Sequence, residues 1–397
     1  MTSWFVSIWY QIAGKGHKGL QSPTERLRIS LTGQSTIGRN AMKLISKQIK
    51  TAVAVSAALA LVLGVSVFAV PAQANSYKIG VSNSWAGNSW RETMVCAIKA
   101  EATLSGKVAN VTVLSRNTDA AGQSADIRTL KTQGMNAIIV NSGDPAANNA
   151  AIKEATDAGI KVIAVDNAIT APNTTLVAND QVEYGRVGAA ALAKAMNFKG
   201  NVLYMRGASG AGADTDRDAG FKAEMKKHKN IKITKEVFTN WDWATGGTLA
   251  NQLLVPGKFQ GVWTSGIDYN IVTAMTTKLK GKYIPVVGSD NNEFMKLTQQ
   301  LAPKGFVGIV VPNPAIVGGY AAKVAIDLLD GKMVPAKNLL APKALTYAAN
   351  KKEIDARIVA TQEATFSATL SLPGKTTFTP SQLFRCKAPQ DSNDGGR

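Results

Sequence analysis

From residue 77 onward, short runs of β-branched and apolar residues alternate with longer stretches whose apolar positions recur at helical spacing. The pattern predicts strands over 77–81, 108–114, 137–141, 161–166 and 174–178, with helices near 90–104, 120–133 and 146–158 between the first four. The rhythm then restarts, with strands over 201–205, 231–238, 261–264, 284–288 and 306–311 and helices over 182–196, 217–227, 245–254, 270–279, 293–301 and 315–329. Near-continuous apolar strands joined by helical crossovers imply parallel sheets covered on both faces. One sheet holding all these strands would be wide for the class, so the expectation is α/β, with two Rossmann-like doubly wound lobes in tandem.

A single long apolar stretch, 53–70, breaks the pattern; Lys43, Lys47 and Lys50 precede it and Pro71-Ala72-Gln73-Ala74 follow. A basic flank, an apolar middle and a small-x-small ending make an export signal over 42–74, cleaved after Ala74. About eighteen apolar residues would just span a bilayer, but the peptidase-type ending favours the signal over an anchor. Residues 1–41 are then expected to be an upstream extension, with Met42 as the natural start.

Charge changes the picture little. The 397 residues hold 45 Lys and Arg against 27 Asp and Glu. Removing residues 1–74 leaves 37 against 26, a net +11. These charges are dispersed and no stacked aromatic–basic surface accompanies them, which excludes a nucleic-acid partner. The histidines are His17 and His228, and His228 lies in a lysine-rich run that reads as a solvated helix end, so His-based metal sites and a Ser-His-Asp triad lack parts. No cofactor is expected. The glycines of 207–213 fit no phosphate-loop spacing.

In doubly wound sheets ligands bind beyond the carboxyl ends of the strands. There this chain places amides, carboxylates, arginines and indoles, including Asn83, Arg116, Asn141, Asp166, Trp241, Trp243 and Asp290. Such groups supply paired donors and acceptors for vicinal hydroxyls, and indole faces for the C–H side of a ring, which is binding rather than reaction chemistry. Each also has a plainer role open to it: Trp90 fits a hydrophobic staple, Asp166 a turn cap, Arg91 a surface residue of a first helical turn. Trp263 lies inside a strand and belongs to the core.

The order Ile79-Gly80-Val81-Ser82-Asn83-Ser84, Asn88-Ser89-Trp90-Arg91, Ile138-Ile139-Val140-Asn141, the run 159–167 ending Asp166-Asn167, and Val286-Val287-Gly288-Ser289-Asp290 resembles the ribose-type periplasmic sugar-binding proteins of ABC importers, over residues 77–354. The resemblance implies the type I periplasmic binding protein fold, with two lobes joined by a three-crossover hinge. One lobe would hold 75–178 with 312–340, the other 179–311 with 341–357, leaving 358–397 as a C-terminal tail. It further implies a monomer, not an enzyme, that captures a monosaccharide or polyol and delivers it to a membrane permease driven by a separate ATPase. Carried over position by position, it makes Asn88, Trp90, Arg91, Asp166, Trp241, Asp268 and Asp290 ligand-binding candidates. Asn167 stands where an arginine is common, Asp216 and Arg217 near where ribose binders place an arginine slightly earlier, and Asn313 near a common glutamine. These departures leave furanoses other than ribose, pyranoses and polyols open. An amino acid, nucleoside or signalling furanone remains a second class of ligand, and a secreted α/β enzyme a third reading.

Cys96 and Cys386 are the only cysteines, and an exported protein meets an oxidising compartment. On its helix Cys96 shares a face with Glu92, Lys99 and Thr103 rather than with Met94 and Ile98. A Cys96–Cys386 disulfide clipping the tail onto the first lobe is therefore expected, followed by a disordered end over 388–397.

Overall fold

In the computed structural model, which describes residues 76–386, the strand–helix alternation closes into two separate six-stranded sheets. The readings made above for 1–41, 42–74 and 388–397 lie outside the described residues.

The first sheet contains β1 (Tyr77–Asn83), β2 (Val108–Ser115), β3 (Ala137–Asn141), β4 (Lys161–Val165), β5 (Thr174–Asn179) and the late β11 (Lys337–Leu340), in the order β11-β5-β4-β3-β1-β2 and all parallel. Helix α1 (Ser89–Ser105) and α9 (Val317–Leu329) cover one face, through Met94, Ile98, Ala321 and Ala325; α2 (Ala120–Thr132) and α3 (Asn149–Asp157) cover the other, through Ile127, Leu130 and Ile152.

The second sheet contains β6 (Gly200–Arg206), β7 (Ile231–Phe238), β8 (Gly261–Thr264), β9 (Val286–Gly288), β10 (Gly308–Val310) and β12 (Leu345–Thr346). Its order is β12-β10-β9-β8-β6-β7, with only β12 antiparallel. One face is packed by α4 (Gln181–Ala195) and α5 (Gly212–Met225) around Tyr184, Phe221 and the fully buried Trp263. The other is packed by α6 (Trp243–Leu253), α7 (Asp268–Lys278), α8 (Asn292–Leu301) and α10 (Tyr347–Arg357).

Boundaries differ from the sequence pattern where a local device intervenes. β9 begins at Val286 rather than at residue 284, because Pro285 has no N–H for the ladder. α5 begins at Gly212, five residues before the apolar period suggests. Its first-turn Asp214 accepts from Gly207 N at 2.7 Å, and Asn167 Oδ1 accepts from Ala213 N at 2.9 Å, so the helix start is capped from outside its own loop. His228 is half-buried against the ring of Phe198 rather than solvated.

The lobes exchange chain at 179–181, 311–316 and 341–344. A fourth crossing follows α10: Ala368 belongs to the second lobe's core, whereas Leu372, Phe378 and Leu383 belong to the first lobe's. The segment beyond 358 is thus folded. It forms the hairpin β13 (Ser371–Leu372) and β14 (Thr376–Thr377) and then α11 (Pro380–Arg385), after which a disulfide joins Cys386 to Cys96 of α1.

Candidate functional site

The carboxyl ends of both sheets meet around a cavity open in part to solvent. Local caps set its first wall. The Asn88 side chain accepts from Trp90 N and Arg91 N and so starts α1, which aims Trp90 and Arg91 from the first turn into the cavity. A cation there opposes the helix dipole, and Arg91 is also buried, which pulls its pKa down to about 10. Three contacts offset this: Asn83 Oδ1 accepts from Arg91 Nη1 at 2.6 Å, the guanidinium lies 4.7 Å from the Trp85 ring centroid, and Asp166 supplies opposite charge.

Asp166 follows β4 with φ of 64°, a left-handed conformation rare outside glycine and strained by about 1–3 kcal/mol. The turn carries its buried carboxylate into the cavity wall. Burial raises its pKa, while Arg217, Arg91 and the amide of Gln181 oppose the rise. Gln181 is a hub at the first crossover. Its Nε2 donates to Asp166 Oδ1 at 2.9 Å and to Asn313 Oδ1 at 3.4 Å, and its Oε1 accepts from Arg217 Nε at 2.8 Å. Arg217 reaches it because α4 and α5 touch backbone to backbone at Gly185, where a Cβ would overlap the Arg217 carbonyl. Its Nη1 donates to Ser265 Oγ at 2.7 Å and its guanidinium covers Tyr184 at 4.2 Å.

On the second lobe, Trp241 lies over Gly207, whose missing Cβ leaves room for the indole, and Trp241 Nε1 donates to Ser265 Oγ at 3.1 Å. Asp290, after β9, accepts from Asn313 N through Oδ1 at 2.8 Å. Its Oδ2 is buried and, among the described residues, has no partner, on a side chain that belongs to the cavity wall. The lobes are joined across the cleft: Asn88 Nδ2 donates to Trp241 O at 3.1 Å, Trp90 Nε1 to Asn313 O at 2.6 Å and Ser89 Oγ to Thr365 O at 3.2 Å.

Of the residues expected from sequence, Asn88, Trp90, Arg91, Asp166, Arg217, Trp241, Asp290 and Asn313 share this wall. Three stand outside it. Asn167 is engaged on both polar atoms, donating to Asn141 Oδ1 at 2.7 Å and accepting from Ala213 N. Asp268 is turned inward: Ser289 N, Asn291 Nδ2 and Tyr269 N donate to its two oxygens, and burial still lifts its pKa to about 6. Asp216 faces Asp180 beside the start of α4, and partial burial raises its pKa. The wall instead gains Ser265, Gly266 and Ile267 after β8 and Ser289 after β9, positions within reach of the same strand-end rule. Thr365 and Ser367 also line it, and no periodicity or motif in the sequence marked them. Among the described residues, no group of three or more His, Cys, Asp or Glu could hold a metal ion.

A family described as "Periplasmic binding protein domain" matches residues 79–333. The ribose import binding protein RbsB of Bacillus subtilis is 28% identical over 268 residues, 67% of this chain and 86% of its own length. An ABC transporter solute binding protein from Thermobispora bispora superposes with a TM-score of 0.65 at 23% identity, covering 73% of this chain and 90% of that one. The periplasmic component of an arabinose ABC transporter from Shewanella sp. ANA-3, bound to α- and β-L-arabinofuranose, superposes with a TM-score of 0.61 at 23% identity, over 70% and 94% of the two chains.

Proposed function

The chain belongs to the periplasmic binding protein domain family, and from that premise we propose that it is the extracytoplasmic solute-binding component of an ABC importer, capturing a monosaccharide or related polyol between its lobes. The observation that carries this reading is the unpartnered Oδ2 of Asp290, placed opposite guanidinium groups and indoles in one cavity. The charged side chains in that wall are Arg91, Arg217, Asp166 and Asp290, two of each sign, so the site suits a neutral guest. A hydroxyl group donates and accepts at once, and only an array holding both kinds of partner satisfies it. Trp90 and Trp241 direct their indole N–H groups at protein acceptors, and the indole face of Trp241 turned away from Gly207 suits the apolar side of a sugar. The named relatives bind ribose and arabinofuranose, in keeping with this chemistry.

The protein acts by lobe closure. Contacts that a guest makes to both lobes at once, such as Asp166 on one side and Asp290 on the other, bias the closed arrangement, and only interactions stronger in that state can do so. The closed form presents both lobe tips to a membrane permease powered by a separate ATPase. The protein works as a monomer in the periplasm after loss of the signal over 42–74.

A thermal-shift panel of D-ribose, L-arabinose, D-galactose, xylitol and free amino acids tests the reading. One sugar or polyol is expected to raise Tm and change tryptophan fluorescence, with about 2.7 kcal/mol of stabilisation at a hundredfold excess over Kd. A response to amino acids and to none of the sugars or polyols refutes it.

A further inference from the structure

We propose that residues 364–369, in the C-terminal segment beyond the family match, form a ligand-selecting wall of the cleft, held in place by contacts to both lobes and by the Cys96–Cys386 disulfide. This rests on the sugar-binding reading above. The segment lies along the turn that carries Asp290. Ala368 N donates to Asp290 O at 2.8 Å, Phe366 O accepts from Asn292 N at 2.9 Å, and Ala364 O accepts from Glu293 N at 3.0 Å. Asn292 grips the same stretch from its side chain, donating to Val359 O at 2.8 Å and to Gln362 O at 2.9 Å. Across the cleft Ser89 Oγ donates to Thr365 O, and Ser367 Oγ accepts from Ala315 N of the second crossover at 3.3 Å.

Thr365 and Ser367 therefore sit at the cavity on a backbone fixed from three sides, beside the same Ser89, Asp290 and Asn313 that line it. Beyond them the chain is anchored to the first lobe. Phe378 and Leu383 enter its core, Thr376 Oγ1 donates to Glu101 Oε2 at 2.7 Å, and Cys386 is bonded to Cys96. A wall tied to both lobes does not retreat to admit a larger guest, so the two side chains on it limit guest size and offer hydroxyl groups to it.

The test is calorimetric titration of wild type, Thr365→Leu and Ser367→Ala with D-ribose, L-arabinose and D-galactose; Thr365→Leu is first checked for an unchanged sugar-free Tm, and Ser367→Ala, which removes the acceptor of Ala315 N, for a cooperative transition well above the titration temperature. The readout is the ratio of hexose to pentose affinity, which a merely structural role would leave alone. Thr365→Leu is expected to shift that ratio about ten-fold against the hexose, the scale of a methylene clash in a fitted pocket. Ser367→Ala keeps the volume nearly constant and is expected to weaken the bound sugar several-fold. Unchanged ratios and affinities in both variants overturn the wall. A wild type that responds to amino acids and to none of these sugars or xylitol brings down the sugar reading itself, and the wall with it.

Discussion

Replacing Asp290 with Asn separates a ligand-facing carboxylate from a structural one. In the protein Oδ1 accepts from Asn313 N at 2.8 Å, while Oδ2 is buried and has no partner among the described residues. An asparagine amide oxygen keeps the Asn313 bond and sets an NH2 group where Oδ2 stood. A guest hydroxyl that donates to Oδ2 then loses a charge-assisted bond of about 1.5–3 kcal/mol, so Kd should rise roughly 10- to 100-fold. The sugar-free protein should behave oppositely. A buried polar atom left unpaired costs about 1–3 kcal/mol, and removing its charge relieves much of that, so the variant should be no less stable than wild type. Calorimetric titration gives the first quantity and urea unfolding without sugar the second. Affinity within two-fold of wild type, or a loss of stability as large as the loss of affinity, would refute the assignment of Oδ2 to the guest.

Gln181→Ala removes the hub that satisfies Asp166 and Arg217, both buried. It should lower stability by about 2–4 kcal/mol in denaturant unfolding, from more than one stranded partner, and weaken binding as well. Asp268 titrates near 6 in the folded protein, because burial outweighs the bonds it accepts, against about 3.9 when unfolded. Between these values the folded state holds a proton that the unfolded chain has released, so this contribution favours folding at low pH and is lost as pH rises from about 4 to about 6. Unfolding of wild type and Asp268→Asn at pH 4 to 7 should show the variant gaining on wild type across that window, and a pH-independent difference would contradict it. The disulfide spans 290 residues of sequence. Its removal in Cys96→Ser should cost about 2–5 kcal/mol, read as a lower midpoint in urea, and an unchanged midpoint would show that the tail is held without it.

Much of the fold was legible because its determinants are local. The buried runs of β1, β3 and β4, and the Asx caps at Asn88, Asp119, Asp180, Asp242 and Asn291, announce strand ends and helix starts within a few residues of chain. What the sequence pattern did not carry depends on remote partners. Helix α5 starts early because Asn167 reaches its first turn from the other lobe. Asp268 has the composition and place of a ligand group, yet three N–H donors from its own turn and from the loop after β9 draw it inward. Gln181 carried no motif, and its role exists only because three chain segments converge on one amide.

By itself the sequence determined the alternation of elements, the division into two lobes and the strand ends at which polar groups gather, since hydrophobic period and capping act over a handful of residues. The tertiary structure alone decided which polar side chains of that cluster face the cavity and which close on one another, because a carboxylate or amide turns toward whichever partner the packing brings within about 3 Å. It alone decided, too, that 364–369 returns to line the cleft: its backbone pairs with the turn around residues 290–293, some seventy residues away, and that register has no periodicity to announce it.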